Sequence, residues 1–241
     1  MSDTSGRVLQ GQALNQNIDG LLPVNKPIGM SSADVIRVFK RSANFKGKIG
    51  HAGTLDVFAQ GLVILMLGKA TKKFDELQQQ NKVYQAGVRL GYRSDTLDVE
   101  GWLVQQTNDQ RPALAEVLNA MHQFEGEYEQ SVPQYSAAKQ DGQPLYKLAR
   151  EKKAIKPKSK NVTIQALELI TYKYPLATFN VKCSSGTYVR QLTNDIFSEL
   201  GLESFLFYLQ RTQIGFITLD RACELNDFSN DQWQEYLLEI E

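Results

Sequence analysis

Residues 50–68 read GHAGTLDVFAQGLVILMLG, and the two halves of this stretch differ in character. Residues 50–61 contain three glycines, one of the two histidines of the chain and a single aspartate, Asp56, which is typical of a loop. Residues 62–67 are an unbroken apolar run, too short to cross a membrane, and predict a strand buried on both faces. Asp56 therefore lies on a loop that leads into the core, where catalytic carboxylates are often found; capping of a turn is the alternative interpretation.

The composition limits the classes of protein to which the chain can belong. With 241 residues, 42% hydrophobic and 22% charged, the chain has enough material for one substantial core and a small appendage. No apolar run approaches the roughly 18 residues of a membrane span, and the N-terminal residues are polar, so we expect a cytoplasmic protein without membrane association. Cys183 and Cys223 lack the spacing of metal ligands, so we expect reduced thiols and no metal site.

The charge of the chain is unevenly distributed. Lys and Arg number 27, as do Asp and Glu, but residues 220–241 alone contain seven acids and one base. Residues 1–219 therefore contain 26 bases and 20 acids, a balance of +6. A mildly basic body of this kind suits a nucleic-acid-binding protein that depends on shape and on unstacked bases as well as on phosphate contacts.

Hydrophobic periodicity and capping residues predict alternating strands and helices. Predicted strands cover residues 20–25, 62–67, 83–91, 162–170, 177–183 and 209–216. Predicted helices begin at Ser31 or Ser32, at Thr71, at Pro112 and after Tyr188, and the last of them ends at Gly201. We expect a flexible lead over residues 1–18, a main domain over residues 19–219 and a short acidic helical tail over residues 220–241. In that tail, Trp233, Tyr236, Leu237 and Ile240 fit one helical face.

Several residues outside the loop have two open interpretations. Lys26 follows the first strand and would be solvated in an ordinary strand–turn–helix. Tyr84 alternates with apolar residues along strand 83–91, which predicts a core aromatic side chain. Bases at positions 40, 41, 46 and 48, and six more within residues 150–160, are either solvated surface or phosphate contacts. We interpret His122, at the end of a predicted helix, as a surface residue.

The run GHAGTLDVFAQG over residues 50–61 resembles the signature loop of the TruB-type pseudouridine synthases, in which such a run carries the nucleophilic aspartate. Twelve ordered positions with a rare histidine make this a specific signal. The copy departs from the usual form at Ala52, Val57 and Gln60, where threonine, proline and threonine are common. None of these changes removes a chemically active group, although the turn after Asp56 is less rigid without proline.

Further blocks over residues 20–217 resemble the same family. They are KPIGMSS (26–32), GYRSDTLDVEG (91–101), PQYSA (133–137), CSSGTYVR (183–190) and LQRT (209–212). In the family, the block with Asp95 and Asp98 shapes the cleft, and the last block closes the site. The resemblance implies an α+β pseudouridine-synthase fold over residues 19–219, with a mixed, mainly antiparallel sheet and flanking helices and loops around a central cleft.

The resemblance also implies an activity. The family isomerises uridine to pseudouridine after flipping the base, and the TruB type acts on the T-loop uridine at position 55 of tRNA. An isomerisation needs no cofactor and no metal, so we expect neither, and we expect a monomer that binds the T-arm. The implied catalytic residues are Asp56, Arg190, which holds Asp56 ionised, and Tyr84. The implied base-pocket residues are His51, Tyr84, Tyr188 and Leu209, and the implied RNA contacts are Lys26, Lys48 and Lys139.

Two other hypotheses remain open at this stage. One is an RNA-binding or RNA-chaperone module without catalysis, which the intact set of Asp56, Tyr84 and Arg190 disfavours. The other is a guide-RNA-dependent relative that works in a complex. Only 25 residues follow Phe216, too few for the C-terminal PUA domain that relatives often carry, and this disfavours the guide-dependent hypothesis. Whether Asp56 attacks the sugar, attacks the base or assists elimination is not decided by sequence.

Overall fold

The structure is a computed structural model that describes residues 18–107 and 110–240, without the side chain of Asn230. The predicted flexible lead, apart from residue 18, lies outside the described residues. The chain divides into two compact units, one drawn from residues 1–80 and 210–241 and the other from residues 81–209. They are called the first and second unit below. The predicted main domain, residues 19–219, contributes to both.

The helices and strands follow one another in a mixed order. In chain order they are β1 (Gly20–Lys26), α1 (Ser32–Ser42), β2 (Ile49–Ala52), β3 (Gln60–Leu67), α2 (Phe74–Gln79), β4 (Lys82–Leu90), β5 (Tyr92–Ser94), β6 (Leu103–Gln105), α3 (Leu114–His122), β7 (Gly126–Ser131), β8 (Lys139–Gln140), β9 (Gln143–Pro144), α4 (Leu145–Arg150), β10 (Ser159–Lys173), β11 (Leu176–Cys183), α5 (Val189–Ser198), β12 (Ser204–Ile214) and β13 (Ile217–Thr218).

Strand β3 is the centre of the first unit. It pairs antiparallel with β1 and with β2, and in parallel with the end of β12, where Arg211 lies opposite Gly61. Residues 61–67 are all buried, as the apolar run predicts. Helix α1 begins at the cap that the sequence predicts, because the Ser31 hydroxyl accepts a hydrogen bond from the Asp34 amide at 3.1 Å.

The acidic tail packs within the first unit. Trp233 and Phe228 are fully buried, and their rings contact Phe39 of α1 edge-on at centroid distances of 4.9 and 5.0 Å. Leu238 forms a backbone bridge with Leu21 of β1. The tail differs from the helix that we expected, because it consists of the short 3-10 helices Leu219–Arg221, Leu225–Asn230 and Gln232–Tyr236. Asp231, in a left-handed conformation with φ of 55°, separates the last two.

The second unit contains the antiparallel ladders β4–β11, β11–β10 and β10–β7. The predicted apolar face of β4 is buried and comprises Tyr84, Ala86, Val88 and Leu90. Helix α5 places Val189, Leu192 and Ile196 in the core, as its spacing predicts, and Gly201 follows with φ of 67°. Strand β10 is longer than predicted, since the ladder with β7 extends it back to Ser159.

Two local predictions are wrong. Thr71 caps no helix: residues 68–73 form a 3-10 helix that continues into α2, and the Thr71 hydroxyl donates back to the Gly68 carbonyl at 2.8 Å. Residues 50–52 belong to β2 rather than to a loop, because pairing with the buried strand β3 orders them. The loop that carries Asp56 therefore begins at Gly53.

The predicted α+β class with a mixed, mainly antiparallel sheet is confirmed. Both cysteines are buried free thiols, and burial raises the pKa of Cys223 to about 12. Among the described helices, none has the length and apolar character that a membrane crossing needs.

Candidate active site

Asp56 lies half-buried in the first unit, on the loop between β2 and β3, and its neighbours on both sides are fixed. The buried Ser32 hydroxyl, at the start of α1, accepts a hydrogen bond from the Leu55 amide at 3.0 Å and donates one to the Leu55 carbonyl at 3.4 Å. The Gly29 amide donates to the Val57 carbonyl at 2.8 Å. Hydrogen bonds therefore hold the backbone on both sides of Asp56.

A buried arginine supports the same loop from β12. The Arg211 side chain is 1% exposed; its Nε donates to the Leu62 carbonyl at 2.7 Å and its Nη2 to the Gly53 carbonyl at 3.0 Å. Gly61 permits this approach, since its φ is 106° and a Cβ there would lie 2.4 Å from the Arg211 carbonyl oxygen. Arg211 belongs to the last family block, LQRT, but had no predicted role.

Lys26 supports the loop from the opposite end and is fully buried. Its ammonium group donates to the carbonyls of Pro27, Met30 and Ala59 at 3.0, 2.7 and 2.5 Å. These contacts tie the turn after β1 to the start of β3. The placement argues against the predicted direct RNA contact, because a buried ammonium bound to carbonyls has no surface to offer a phosphate.

His51 lies on β2, opposite Leu65 of β3, and is half-buried. Burial, and then the nearby Arg211 guanidinium, lower the pKa of His51, so its imidazole is neutral at pH 7. Its buried Nδ1 has no hydrogen-bond partner among the described residues. The predicted role of His51 at the base pocket stays a prediction.

Tyr84 and Leu209, both predicted to line the base pocket, lie in the second unit. Tyr84 is 8% exposed on β4 and Leu209 5% exposed on β12. The prediction of Tyr84 as a core aromatic is confirmed by this burial. Its predicted contact with a base, and that of Leu209, stay predictions.

Arg190 is the second residue of α5 and is 5% exposed. Its guanidinium pairs with the buried Asp98 carboxylate at 3.2 Å and donates to the carbonyls of Tyr135 and Thr96 at 2.7 and 3.3 Å. Asp56 belongs to the first unit and Arg190 to the second, so their predicted ion pair stays a prediction. Asp98 was predicted to shape the cleft but not to pair with Arg190, since 92 residues separate the two.

Tyr188 immediately precedes α5 and is half-buried. The buried side chain of Gln130, on β7, bonds both backbone groups of this residue: its Oε1 accepts from the Tyr188 amide at 2.8 Å and its Nε2 donates to the Tyr188 carbonyl at 3.1 Å. Gln130 was not singled out in the sequence, and a glutamine in a polar strand gives no local signal of such a contact.

The remaining basic residues differ in exposure. Lys48 and Lys139 are exposed, as RNA contacts need to be. The basic run of residues 150–160 starts at the end of α4, crosses a loop and ends in β10, and five of its six bases are exposed. Lys160, the sixth, is half-buried.

Across residues 18–107 and 110–240, no three His, Cys, Asp or Glu side chains are grouped as a metal site would require. A cavity of about 570 Å³ in the second unit is lined by residues of β4, β5 and β6 and of the β10–β11 turn, among them Arg89, Tyr92 and Tyr174. None of the predicted catalytic or base-pocket residues lines this cavity.

The fold resembles those of chains in two solved structures of complexes. One is described as a Cbf5–Nop10–Gar1 complex; its matching chain aligns with a TM-score of 0.71 at 23% identity, over 90% of this chain and 59% of the other. A chain from an H/ACA RNP bound to a substrate RNA aligns with a TM-score of 0.66 at 23% identity. At this identity the comparison supports the fold alone.

Sequence relatives are closer. A protein named tRNA pseudouridine synthase B from Burkholderia lata is 43% identical over 225 residues, which cover 90% of this chain and 68% of the relative. A protein of the same name from Clostridium tetani is 34% identical over 224 residues, covering 93% of this chain and 77% of the relative. The family described as TruB family pseudouridylate synthase, N-terminal domain, matches residues 40–189. These matches confirm the resemblance that the motifs predicted: the chain belongs to the TruB family of pseudouridylate synthases.

Proposed function

We propose that this protein is a tRNA pseudouridine synthase that isomerises the T-loop uridine at position 55. The observation that carries the proposal is the Asp56 loop, held on both sides by Ser32, Gly29, Arg211 and Lys26. A carboxylate on a preorganised backbone is what an aspartate-dependent reaction needs. The names of the Burkholderia lata and Clostridium tetani relatives support tRNA as the substrate.

The reaction moves the sugar from one atom of the base to another. The bond between uracil N1 and the ribose C1′ breaks, the base turns within the pocket, and a bond forms between C5 and C1′. The proton on C5 is lost and N1 ends protonated, so no atoms are gained and no redox partner is needed. Asp56 supplies the carboxylate, Arg190 keeps it ionised, and Tyr84, Tyr188 and Leu209 form walls for the base.

The substrate RNA brings the target base out of its stack. Unstacking costs about a few kcal/mol, which contacts with the pocket offset. We propose that neutral His51 fills the vacated space in the T-loop and that exposed Lys48 and Lys139 contact phosphates. Because tRNA is matured and used in the cytoplasm, we place the protein there, and we expect one chain to act on one tRNA.

The test is to mix purified protein with an unmodified tRNA transcript that carries tritium at uridine C5 and to measure tritium release. We expect release from the wild-type tRNA and none from a transcript with cytidine at position 55. Asp56→Asn should abolish release while tRNA affinity stays within about tenfold, because binding depends on shape and phosphates. Asp75→Asn, which removes an exposed carboxylate on α2, is the matched control and should retain full activity.

The same experiment separates the competing hypotheses. A binding module without catalysis would bind tRNA but release no tritium. A guide-dependent enzyme would release tritium only after a guide RNA and partner proteins are added. Measurable turnover by Asp56→Asn would show that another group is the catalytic carboxylate.

A further inference from the structure

Gln130 and Lys160 lie directly opposite each other across the antiparallel ladder of β7 and β10. Residues in such a pair project to the same face of the sheet. Both of these side chains reach residues 186–188, the segment that joins β11 to α5. Residues 129 and 159, one position earlier in each strand, bond to each other through their side chains. Gln130 and Lys160 therefore both contact the segment that leads into α5.

Gln130 fixes the backbone of Tyr188. Its side chain is fully buried and bonds the amide and the carbonyl of Tyr188, while its Nε2 also contacts the Tyr128 hydroxyl at 2.5 Å. No side-chain cap closes the N-terminus of α5. Because the first amides of a helix lack partners within the helix, an outside group that binds the capping residue determines where the helix begins. Arg190 follows two residues later, so its position depends on the same contact.

Lys160 fixes the ring of Tyr188. Its Nζ lies 4.1 Å from the ring centroid, which is a cation–π contact, and donates a hydrogen bond to the Gly186 carbonyl. Burial lowers the pKa of Lys160, consistent with a side chain turned away from water. The other five bases of residues 150–160 are exposed, so Lys160 differs from the run to which it belongs in sequence.

We propose that Gln130 and Lys160 are positioning residues for the isomerisation, which hold the backbone and the ring of Tyr188 in the single arrangement that the flipped uridine meets. This inference rests on the proposed function of Tyr188 as a wall of the base pocket. Neither side chain contacts the base or the RNA in this proposal. Loss of either one therefore lowers the rate of the chemical step and leaves RNA affinity unchanged, because misplacing a pocket residue affects the transition state more than the initial complex.

The test compares single-turnover rate constants at saturating enzyme with tRNA dissociation constants. Gln130→Met removes the polar contacts and keeps the length of the side chain, and Lys160→Met removes them with a side chain one atom shorter. We expect the rate constant to fall about tenfold to a hundredfold in each variant, with the dissociation constant within about twofold. The double variant should lose less than the product of the two single losses, since both act through Tyr188.

Two lysine variants separate positioning from charge. Lys160→Arg keeps a cation over the ring and should restore most of the rate. Lys173→Met is the matched control, because Lys173 is an exposed lysine on the same strand, β10, and lies outside the basic run of residues 150–160. It should leave the rate unchanged. A Lys160→Met variant with a weaker tRNA affinity and a normal rate constant would overturn the proposal and make Lys160 a phosphate contact.

A measurement without RNA distinguishes failure of this inference from failure of the proposed function. Hydrogen exchange of the Tyr188 amide should be faster in Gln130→Met than in the wild type and unchanged in Lys173→Met. Equal exchange in Gln130→Met and the wild type would refute the backbone contact, whatever the activity. A wild-type protein that forms no pseudouridine would refute the proposed function instead. If Gln130→Met does not fold, Lys160→Met can still be measured, because Lys160 is only half-buried. That variant tests whether Lys160 positions the Tyr188 ring.

Discussion

The Asp56 loop of the first unit and the start of α5 in the second unit are both held by buried polar side chains, but by different kinds of contact. In the first unit, the cations Lys26 and Arg211 bond to backbone carbonyls. In the second, Arg190 also pairs with the Asp98 carboxylate, and neutral Gln130 bonds the backbone. Contacts with carbonyls fix the path of the loop backbone. An ion pair fixes the position of a side chain, and each of its two buried charges is stable only while the other is present.

The two kinds of support should respond differently to mutation. A cation that bonds carbonyls leaves only partly satisfied acceptors when it is removed. An arginine removed from a buried ion pair leaves an uncompensated charge, which is more destabilising. The first unit should therefore be sensitive to backbone crowding and to loss of packing, and the second to changes of charge.

The largest expected effect concerns packing in the first unit. Deletion of residues 229–241 removes Trp233 and the bridge of Leu238 to Leu21, and should lower the free energy of unfolding by about 5 kcal/mol or more. A thermal melt and a tRNA titration measure the two consequences. At a temperature where the truncated protein is folded, tRNA affinity should be equal or slightly higher, because the deleted residues contain four acids and no base.

The variant Glu235→Gln/Glu239→Gln is the control for the tail, since both side chains are exposed. It removes charge without removing packing and should melt like the wild type. A truncated protein that melts normally yet binds tRNA much more weakly would mean that the tail is an RNA-binding element.

A smaller but still large effect is expected from the ion pair of the second unit. Arg190→Met leaves the Asp98 carboxylate, 2% exposed, buried without its cation and should cost about 3–5 kcal/mol in chemical denaturation. Arg190→Lys keeps a cation beside Asp98 and should be more stable than Arg190→Met. It should nevertheless lose most pseudouridine formation, because lysine lacks the planar two-point geometry of a guanidinium. Near-normal turnover by Arg190→Lys would contradict the catalytic assignment of Arg190.

Backbone crowding in the first unit should have an intermediate effect. Gly61→Ala forces a Cβ to within 2.4 Å of the Arg211 carbonyl oxygen at a φ of 106°, and should cost about 3 kcal/mol in chemical denaturation. Gly142→Ala is the matched control in the second unit: its φ is 80°, but no atom lies within 4 Å of the added Cβ. It should cost only about 1–2 kcal/mol, from the left-handed backbone alone. Equal losses in the two variants would mean that the β3–β12 approach adjusts freely.

The smallest effect concerns a half-buried acid of the second unit, Asp195. Burial raises the pKa of Asp195, on α5, so the folded state holds this proton more tightly than the unfolded chain. The free energy of unfolding therefore falls as pH rises from the ordinary carboxyl pKa, 3.8, through the raised value. Asp195→Asn removes this loss and should raise the melting temperature at pH 7 by about 2–4 °C.

The pH dependence provides the control for this prediction. Asp195→Asn should give no gain at a pH below the ordinary carboxyl pKa, where Asp195 is protonated in both states. Glu127→Gln, which removes an exposed acid from β7, should leave the melting temperature unchanged at both pH values. If Asp195→Asn raised the melting temperature equally at both pH values, burial of the Asp195 charge would not be the cause of the increase.

The sequence by itself determined the elements whose signals are local. The apolar run of residues 62–67 became the buried strand β3, and Ser31 capped α1 as predicted. The alternation around Tyr84 correctly predicted a buried face of β4. Strand period, helix caps and apolar runs are set by neighbours a few residues apart, so they can be predicted without knowledge of the fold. The ordered motifs predicted the family for the same reason.

Only the tertiary structure decided which side chains support the site. Arg211 reaches the Gly53 carbonyl across 158 residues and Gln130 reaches Tyr188 across 58, and neither separation leaves a local pattern. Lys26 looked like a surface lysine and is buried, because the turn after β1 and the start of β3 surround its ammonium group with carbonyls. The tail lacks a long helix because its large apolar side chains pack on α1 and β1. Strand pairing brings together residues that are far apart in the sequence. No short stretch of sequence shows which distant residues will meet.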